Sequence, residues 1–181
     1  MDTKMQEKVQ MLIDHFDIRE VIEAYVDGCD RCDKAAVRDV YHPDSWDNHG
    51  PLDMCGPDFA DACVQSLIDN WSTCNHLLGQ SRIRVSGDEA GVQTYFHASL
   101  TREADGVTML DQMVGRYIDK FERRDGQWRI KDRRCIAEWS SSAPTGEDFM
   151  RGDLFLHGAR DPSDIANEVL GLKPGNMRIQ R

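Results

Sequence analysis

The stretch SGDEAGVQTYFHASLTREADGVTMLDQMVGRYIDKFERRDG, residues 86–126, decides the fold class. It opens on one turn signal, Ser86-Gly87-Asp88, and closes on another, Arg124-Asp125-Gly126, with Asp105-Gly106 between them. Turns about twenty residues apart join long antiparallel strands through tight hairpins. The segments between the turns have a period of two. Val92, Thr94, Phe96, Ala98 and Leu100 alternate with Gln93, Tyr95, His97, Ser99 and Thr101. Met113, Gly115 and Tyr117 alternate in the same way with Val114, Arg116 and Ile118. Trp128 to Trp139 supplies a further long strand, and the run Ser140-Ser141-Ser142-Ala143-Pro144-Thr145-Gly146 reads as a breaker after it.

Upstream the period changes to that of a helix. Ile18, Val21, Ile22, Tyr25, Val26 and Cys29 form one apolar stripe, and Met5–Phe16 either starts the same helix or makes a lead-in turn. Asp33 is a suitable cap for a second helix, Lys34–Tyr41, which Pro43 stops. A short strand is expected around Ser45–His49. Gly56-Pro57-Asp58 opens a third helix, reaching about Asn70, with Phe59, Cys63, Leu67 and Ile68 inward. Helices followed by a strand meander predict an α+β domain, with three N-terminal helices packed on one face of a curved antiparallel sheet. Residues 1–142 are assigned to this domain and 143–181 to a tail. The tail carries Phe149, Leu154, Phe155 and Leu156 and a short helix over Ile165–Leu172, and is expected to dock on its own domain or on a neighbour.

Composition narrows the function. With 40% hydrophobic and 30% charged residues over 181 positions, the chain reads as one soluble globular domain. Its net charge of −10 argues against nucleic acid or an anionic membrane as partner. No apolar run approaches the roughly 20 residues of a membrane span. The polar N-terminus predicts no signal peptide, so a cytoplasmic location and reduced cysteines are expected. Cys29 and Cys32 have C-x-x-C spacing but end a helix, where redox chemistry would need a helix beginning. The six histidines show no H-E-x-x-H or H-x-H spacing, so no metal is expected.

Four residues stand out. Asp30 extends the ridge Ile22–Val26–Asp30 to the negative end of a helix dipole, where an acid costs stability. It is either a solvated acid or one turned toward the buried face. His76 enters a strand, and Ile83 and Val85 have the opposite parity to His76 and Leu78, which predicts a bulge near Gly79. Arg133 shares parity with Cys135, Ala137 and Trp139, so it requires an anion: Asp30, another acid, or a substrate. Tyr25 lies mid-stripe and reads equally as core.

The run from Ile18 to Asp30 resembles the opening helix of SnoaL-like proteins in the nuclear-transport-factor-2-like superfamily, and Phe121–Ile130 resembles their tryptophan hairpin. The resemblance spans Gln6 to Trp139 and implies a cone-shaped α+β barrel. Within the superfamily the chain is most similar to the branch of scytalone dehydratase, bile-acid 7α-dehydratase and hexachlorocyclohexane dehydrochlorinase. That branch pairs a helix-end aspartate with a strand-entry histidine, and Asp30 and His76 match them. Tyr25 matches the helix tyrosine of the bile-acid enzyme, and Arg133 an arginine of the dehydrochlorinase. The bile-acid enzyme's own arginine and pocket aspartate fall on Ala137 and Ala98.

The resemblance implies elimination without a cofactor. His76 would be the base, Asp30 its orienting acid, and Tyr25 or Arg133 a donor to a leaving oxygen or developing enolate. His49, Phe96, Met113 and Tyr117, with Cys135 and Ala137, would line a site for an apolar ring compound such as a hydroxylated steroid or aromatic. A homo-oligomer, trimer ahead of dimer, is implied too. Isomerase or hydrolase chemistry on the same scaffold, or a non-catalytic ligand-binding or dioxygenase-subunit-like role, stays open on the sequence.

Overall fold

The apolar stripe from Ile18 to Cys29 is the buried half of one long helix, α1 (Thr3–Asp30), in a computed structural model that describes residues 2–147, 150, 152 and 154–172. Met5–Phe16 belongs to α1 and is mostly solvent-facing. Gly28 lets the next helix approach, since a Cβ there would sit 2.7 Å from Val37 Cγ2. Asp33 caps that helix, α2 (Lys34–Asp39), through the Ala36 amide.

Helix α2 ends two residues earlier than expected, and Tyr41 instead opens strand β1 (Tyr41–His49). The competing partner is remote: β1 runs parallel to the last strand, with Tyr41 beside Ile130. Pro43 is tolerated because the pairing is irregular between Tyr41 and Trp46. Strand β2 (Leu52–Cys55) leads into α3 (Gly56–Asn70), which buries Phe59, Ala60, Val64 and Leu67. Cys63 is half-buried, and Ile68 faces outward, contrary to expectation. It lies about 100° around the helix from the buried Leu67 and lines a cleft with Arg160 and Pro162.

The meander follows as β3 (Thr73–Ser86), β4 (Glu89–Ala104), β5 (Val107–Arg124) and β6 (Gln127–Pro144). Among the described residues the strands form one curved, unclosed sheet in the order β2-β1-β6-β5-β4-β3. Among the described strands only the β1–β6 pairing is parallel. Asp105-Gly106 and Asp125-Gly126 both have positive φ at each residue, the backbone that tight two-residue hairpins need. The serine run is not a breaker. Ser140 to Pro144 continue the ladder opposite Met113 to Met109, because the long β5 offers partners for them.

The register of β3 shifts between Leu78 and Ser81. This bulge resets the parity, so that His76 and Leu78 face the helices together with Ile83 and Val85. Arg19 of α1 fills it, donating to the Gly79 carbonyl at 3.1 Å and to Ser81 Oγ at 2.6 Å. The middle of α1 is also tied to the tryptophan hairpin. Asp14 accepts from Trp128 Nε1 at 3.2 Å and from Arg123 at 2.6 Å. The core between helices and sheet holds Ile18, Ile22, Phe59, Leu100, Phe121 and Ile130.

Gly115 permits a close approach in the middle of the sheet. A Cβ there would lie 2.3 Å from the Ile136 carbonyl and 2.9 Å from the Phe96 ring. Gly115→Ala is therefore expected to lower stability by about 1–3 kcal/mol, read as a reduced midpoint in urea unfolding.

Helix α4 (Ile165–Val169) is shorter than the expected Ile165–Leu172. Arg31 donates to the Ala159 carbonyl at 2.7 Å and to Asp164 at 3.2 Å, and Arg160 to the Trp71 carbonyl at 2.5 Å. Leu154 and Leu156 are exposed, and Phe149 lies outside the described residues. All six cysteines are free thiols. Among the described residues no helix is long and apolar enough to cross a membrane.

Candidate active site

The C-terminal end of α1 and the start of β3 meet at Asp30 and His76. One carboxylate oxygen of Asp30 lies 2.7 Å from His76 Nδ1, and the other accepts the His76 backbone N–H at 2.8 Å. The carboxylate thus grips the residue at two points and fixes the ring. Both side chains are about a tenth exposed, at 11% and 10%, so solvent reaches the pair. Among the described residues His76 Nε2 has no partner. A buried acid at the negative end of a helix is a poor choice for stability, and the histidine supplies the compensation.

Rows across the sheet order what lies beyond. Ala98 and Met113 share the row of His76. Met113 stands at the open side, 39% exposed, and Ala137 is exposed there as well. Phe96, one pair further along, stacks on Tyr117 with centroids 4.4 Å apart. The His76 ring is 6.3 Å from Phe96. Deeper still, Asp119 of β5, Arg133 of β6 and Asp47 of β1 occupy neighbouring positions on adjacent strands.

Arg133 is fully buried, with a side-chain exposure of 0%. Its guanidinium makes two 2.8 Å hydrogen bonds to Asp119 and sits in the corner between the edge-on rings of Tyr25 and Tyr117, 4.2 and 4.3 Å from their centroids. Its anion is thus Asp119 and not Asp30. Among the described residues Nη1 has no partner. Burial pushes the Asp119 carboxyl up, and Arg133 pulls it back. Tyr25 packs edge-on against Tyr41 and Tyr117, and burial raises its hydroxyl well above the usual range, so it remains a donor. Among the described residues neither the Tyr25 nor the Tyr117 hydroxyl is hydrogen-bonded. The least exposed of the expected site residues is Arg133, whereas Asp30 and His76 keep about a tenth of their side-chain surface exposed.

His49 caps the far side, stacked on Phe59 with centroids 4.6 Å apart and 5.8 Å from Tyr117. Its Nδ1 lies 2.5 Å from Asp47, whose other oxygen accepts the Tyr41 hydroxyl at 2.5 Å.

Asp30, Cys74 and His76 bring one potential ligand atom each within 4.8 Å of one another. Burial and the Asp30 carboxylate push the Cys74 thiol far up. With Asp30 already engaged by His76, the cluster is built as a hydrogen-bonded pair. Burial also pushes Cys135 up to about 12, and a hydrogen bond with Cys63 followed by burial raises Cys29. In the folded chain Cys29, Cys74 and Cys135 are expected to resist iodoacetamide at pH 8 and to react after denaturation, as mapped by peptide mass.

The fold is shared with known proteins. The family model of the SnoaL-like domain matches residues 10–134. The chain belongs to the SnoaL-like family. Among solved structures, this SnoaL-like protein is similar to one from Novosphingobium aromaticivorans named for scytalone dehydratase, at 18% identity and TM-score 0.66, covering 74% of this chain and 90% of that one. It is equally similar to the hexachlorocyclohexane dehydrochlorinase LinA-type3 of Novosphingobium barchaimii, at 18% identity and TM-score 0.68, covering 80% and 99%. An NTF2-like protein with a cystatin-like fold from N. aromaticivorans aligns at 22% identity and TM-score 0.53, covering 76% and 90%. A search of curated proteins finds no match. These likenesses show that the SnoaL-like chain shares its fold with structures named for a scytalone dehydratase and a hexachlorocyclohexane dehydrochlorinase.

Three residues of the site were not anticipated: Tyr41, Asp47 and Asp119. Tyr41 was assigned to a helix. Asp47 and His49 share one face of a strand that was expected, and Asp119 interrupts the apolar alternation Tyr117–Phe121 directly opposite Arg133. An acid on an inward parity was the available signal in both cases.

Proposed function

We propose that this protein is a cofactor-independent lyase that eliminates water or a related group from a small apolar ring compound, such as a hydroxylated steroid or aromatic. The observation that carries the reading is the two-point grip of Asp30 on His76, with Nε2 unpartnered among the described residues and the ring beside Phe96. A carboxylate on Nδ1 selects the tautomer whose lone pair is on Nε2, and it stabilises the imidazolium that forms. Nε2 takes a proton from a substrate carbon. The C–H electrons become the new double bond as the bond to the leaving group breaks. The Tyr25 hydroxyl and Arg133 Nη1 are the donors for developing negative charge on oxygen. His49, Phe96, Met113 and Tyr117 hold the ring.

In this reading the protein acts in the cytoplasm as a homo-oligomer, with a trimer preferred. Leu77 and Trp139 on the sheet and Leu12 and Phe16 on α1 are exposed apolar surface of the kind a second copy covers. Light scattering at micromolar concentration is expected to give a mass above the 20.6 kDa of one chain; a monomer removes this part of the proposal.

The test is a panel of hydroxylated steroids and aromatic side-chain alcohols, followed by mass spectrometry. Loss of one water, absent in the His76→Ala variant, supports the lyase. A product of unchanged mass with a moved double bond points to isomerisation by the same base. No conversion across the panel counts against the substrate class.

A further inference from the structure

The Asp47–His49 pair repeats the architecture of Asp30–His76 at the other end of the aromatic wall. In both, Nδ1 lies on a carboxylate and Nε2 has no partner among the described residues. The surroundings differ in one respect that sets the proton. Asp30 retains 11% exposure, whereas Asp47 is sealed, with a side-chain exposure of 0%. Two buried carboxylates, Asp47 and Asp119, stand on either side of one buried guanidinium, Arg133, which among the described residues is hydrogen-bonded to Asp119 and not to Asp47. Buried charge is tolerated only when compensated, so one positive charge is missing. His49 is the group placed to carry it, in contact with Asp47 and 19% exposed at its other side.

We propose that His49 is a second proton-transfer residue, a general acid that delivers its Nε2 proton to a departing oxygen, and that the substrate is therefore an alcohol rather than a halide. The proposal rests on the lyase reading above. As His76 Nε2 takes the proton from carbon, the C–O bond breaks toward oxygen and the His49 proton completes a water molecule. His76 ends protonated and His49 neutral, and exchange with solvent restores both. A halide leaves as a stable anion and needs no such proton, so a site for halides alone would leave the second pair idle. Asp47 orients the ring, and Tyr41 completes the Asp47 carboxylate. Phe59 holds the imidazole flat.

Two measurements decide it. The first is independent of any substrate: long-range ¹H–¹⁵N correlation spectra of the wild-type imidazoles at pH 7. His49 is expected to show both nitrogens protonated. A neutral His49 overturns the proposal whatever the enzyme turns over. The groups facing it are Tyr41 and Asp47 on its own strand, Tyr25 from α1, Tyr117 and Asp119 from β5 and Arg133 from β6, so a proton seen there reports this cluster. The second compares His49→Gln on an alcohol from the panel and on its chloride counterpart. The amide keeps a hydrogen bond to Asp47, and circular dichroism verifies the fold. Turnover of the alcohol is expected to fall about 10²- to 10⁴-fold, while the chloride changes only a few-fold. Equal losses on both overturn the proposal. If the spectra give a protonated His49 but wild type converts neither compound, the lyase reading fails while the assignment of the proton stands.

Discussion

His76→Ala is expected to reduce turnover by at least about 10²- to 10⁴-fold, the contribution of a positioned general base, with the fold retained. The side chain makes the Asp30 hydrogen bond and loose contacts to Cys74 and Phe96, and the His76 backbone N–H still has Asp30 to accept it. Little packing is therefore lost with the ring. Asp30→Asn is the more informative partner variant. An amide can accept the backbone N–H through its oxygen, but it then offers NH₂ to Nδ1. That forces the proton onto Nε2 and removes the lone pair the reaction needs. A loss of about 10²- to 10⁴-fold in kcat is expected on the grounds of the wrong tautomer alone, with KM little changed. Near wild-type kcat in either variant, on an identified substrate, would end the proposed mechanism. Matching circular dichroism spectra establish that folding is not the cause.

Arg133→Met is expected to be the most destabilising single change at the site, by about 3–5 kcal/mol. The reason is not the loss of an attractive contact but the buried Asp119 carboxylate left without its counter-ion. Replacing both partners, Arg133→Met with Asp119→Leu, is expected to recover much of that loss, because two well-packed apolar side chains avoid the desolvation of both charges. Urea unfolding of the two single variants and the double variant measures the coupling. Additive losses would show that the pair is not the unit described here.

The fold was legible wherever local signals agreed. The Asp-Gly turns, the alternation in β4 and β5, and the stripe of α1 each follow from neighbours in sequence, and the bulge in β3 was readable because it reverses the parity between Leu78 and Ile83. What was not legible depends on partners far away in the chain. Tyr41 looked like the end of a helix because Pro43 is a local stop, whereas its strand exists through pairing with β6. Ser140–Pro144 looked like a loop by composition, yet the length of β5 holds them in the sheet. Asp30 and His76 were singled out by residue type and position, each with a plainer explanation available. Asp47 and Asp119 were missed because their meaning comes from which residue sits across the sheet, and the irregular registers of β1 and β6 hide that from any count along one strand.

β3 is the outer strand of the sheet, and the amide of His76 points away from β4, to the Asp30 carboxylate. That hydrogen exchanges with solvent only when the α1–β3 contact opens, since no neighbouring strand protects it. Its deuterium uptake is therefore a clock for the separation of helix and strand, readable in the absence of any substrate. A ligand that tightens the site slows this clock. The same carboxylate also occupies a donor that would otherwise be open to pairing with a stray strand, so the group that orients the imidazole also guards the rim of the sheet against self-association.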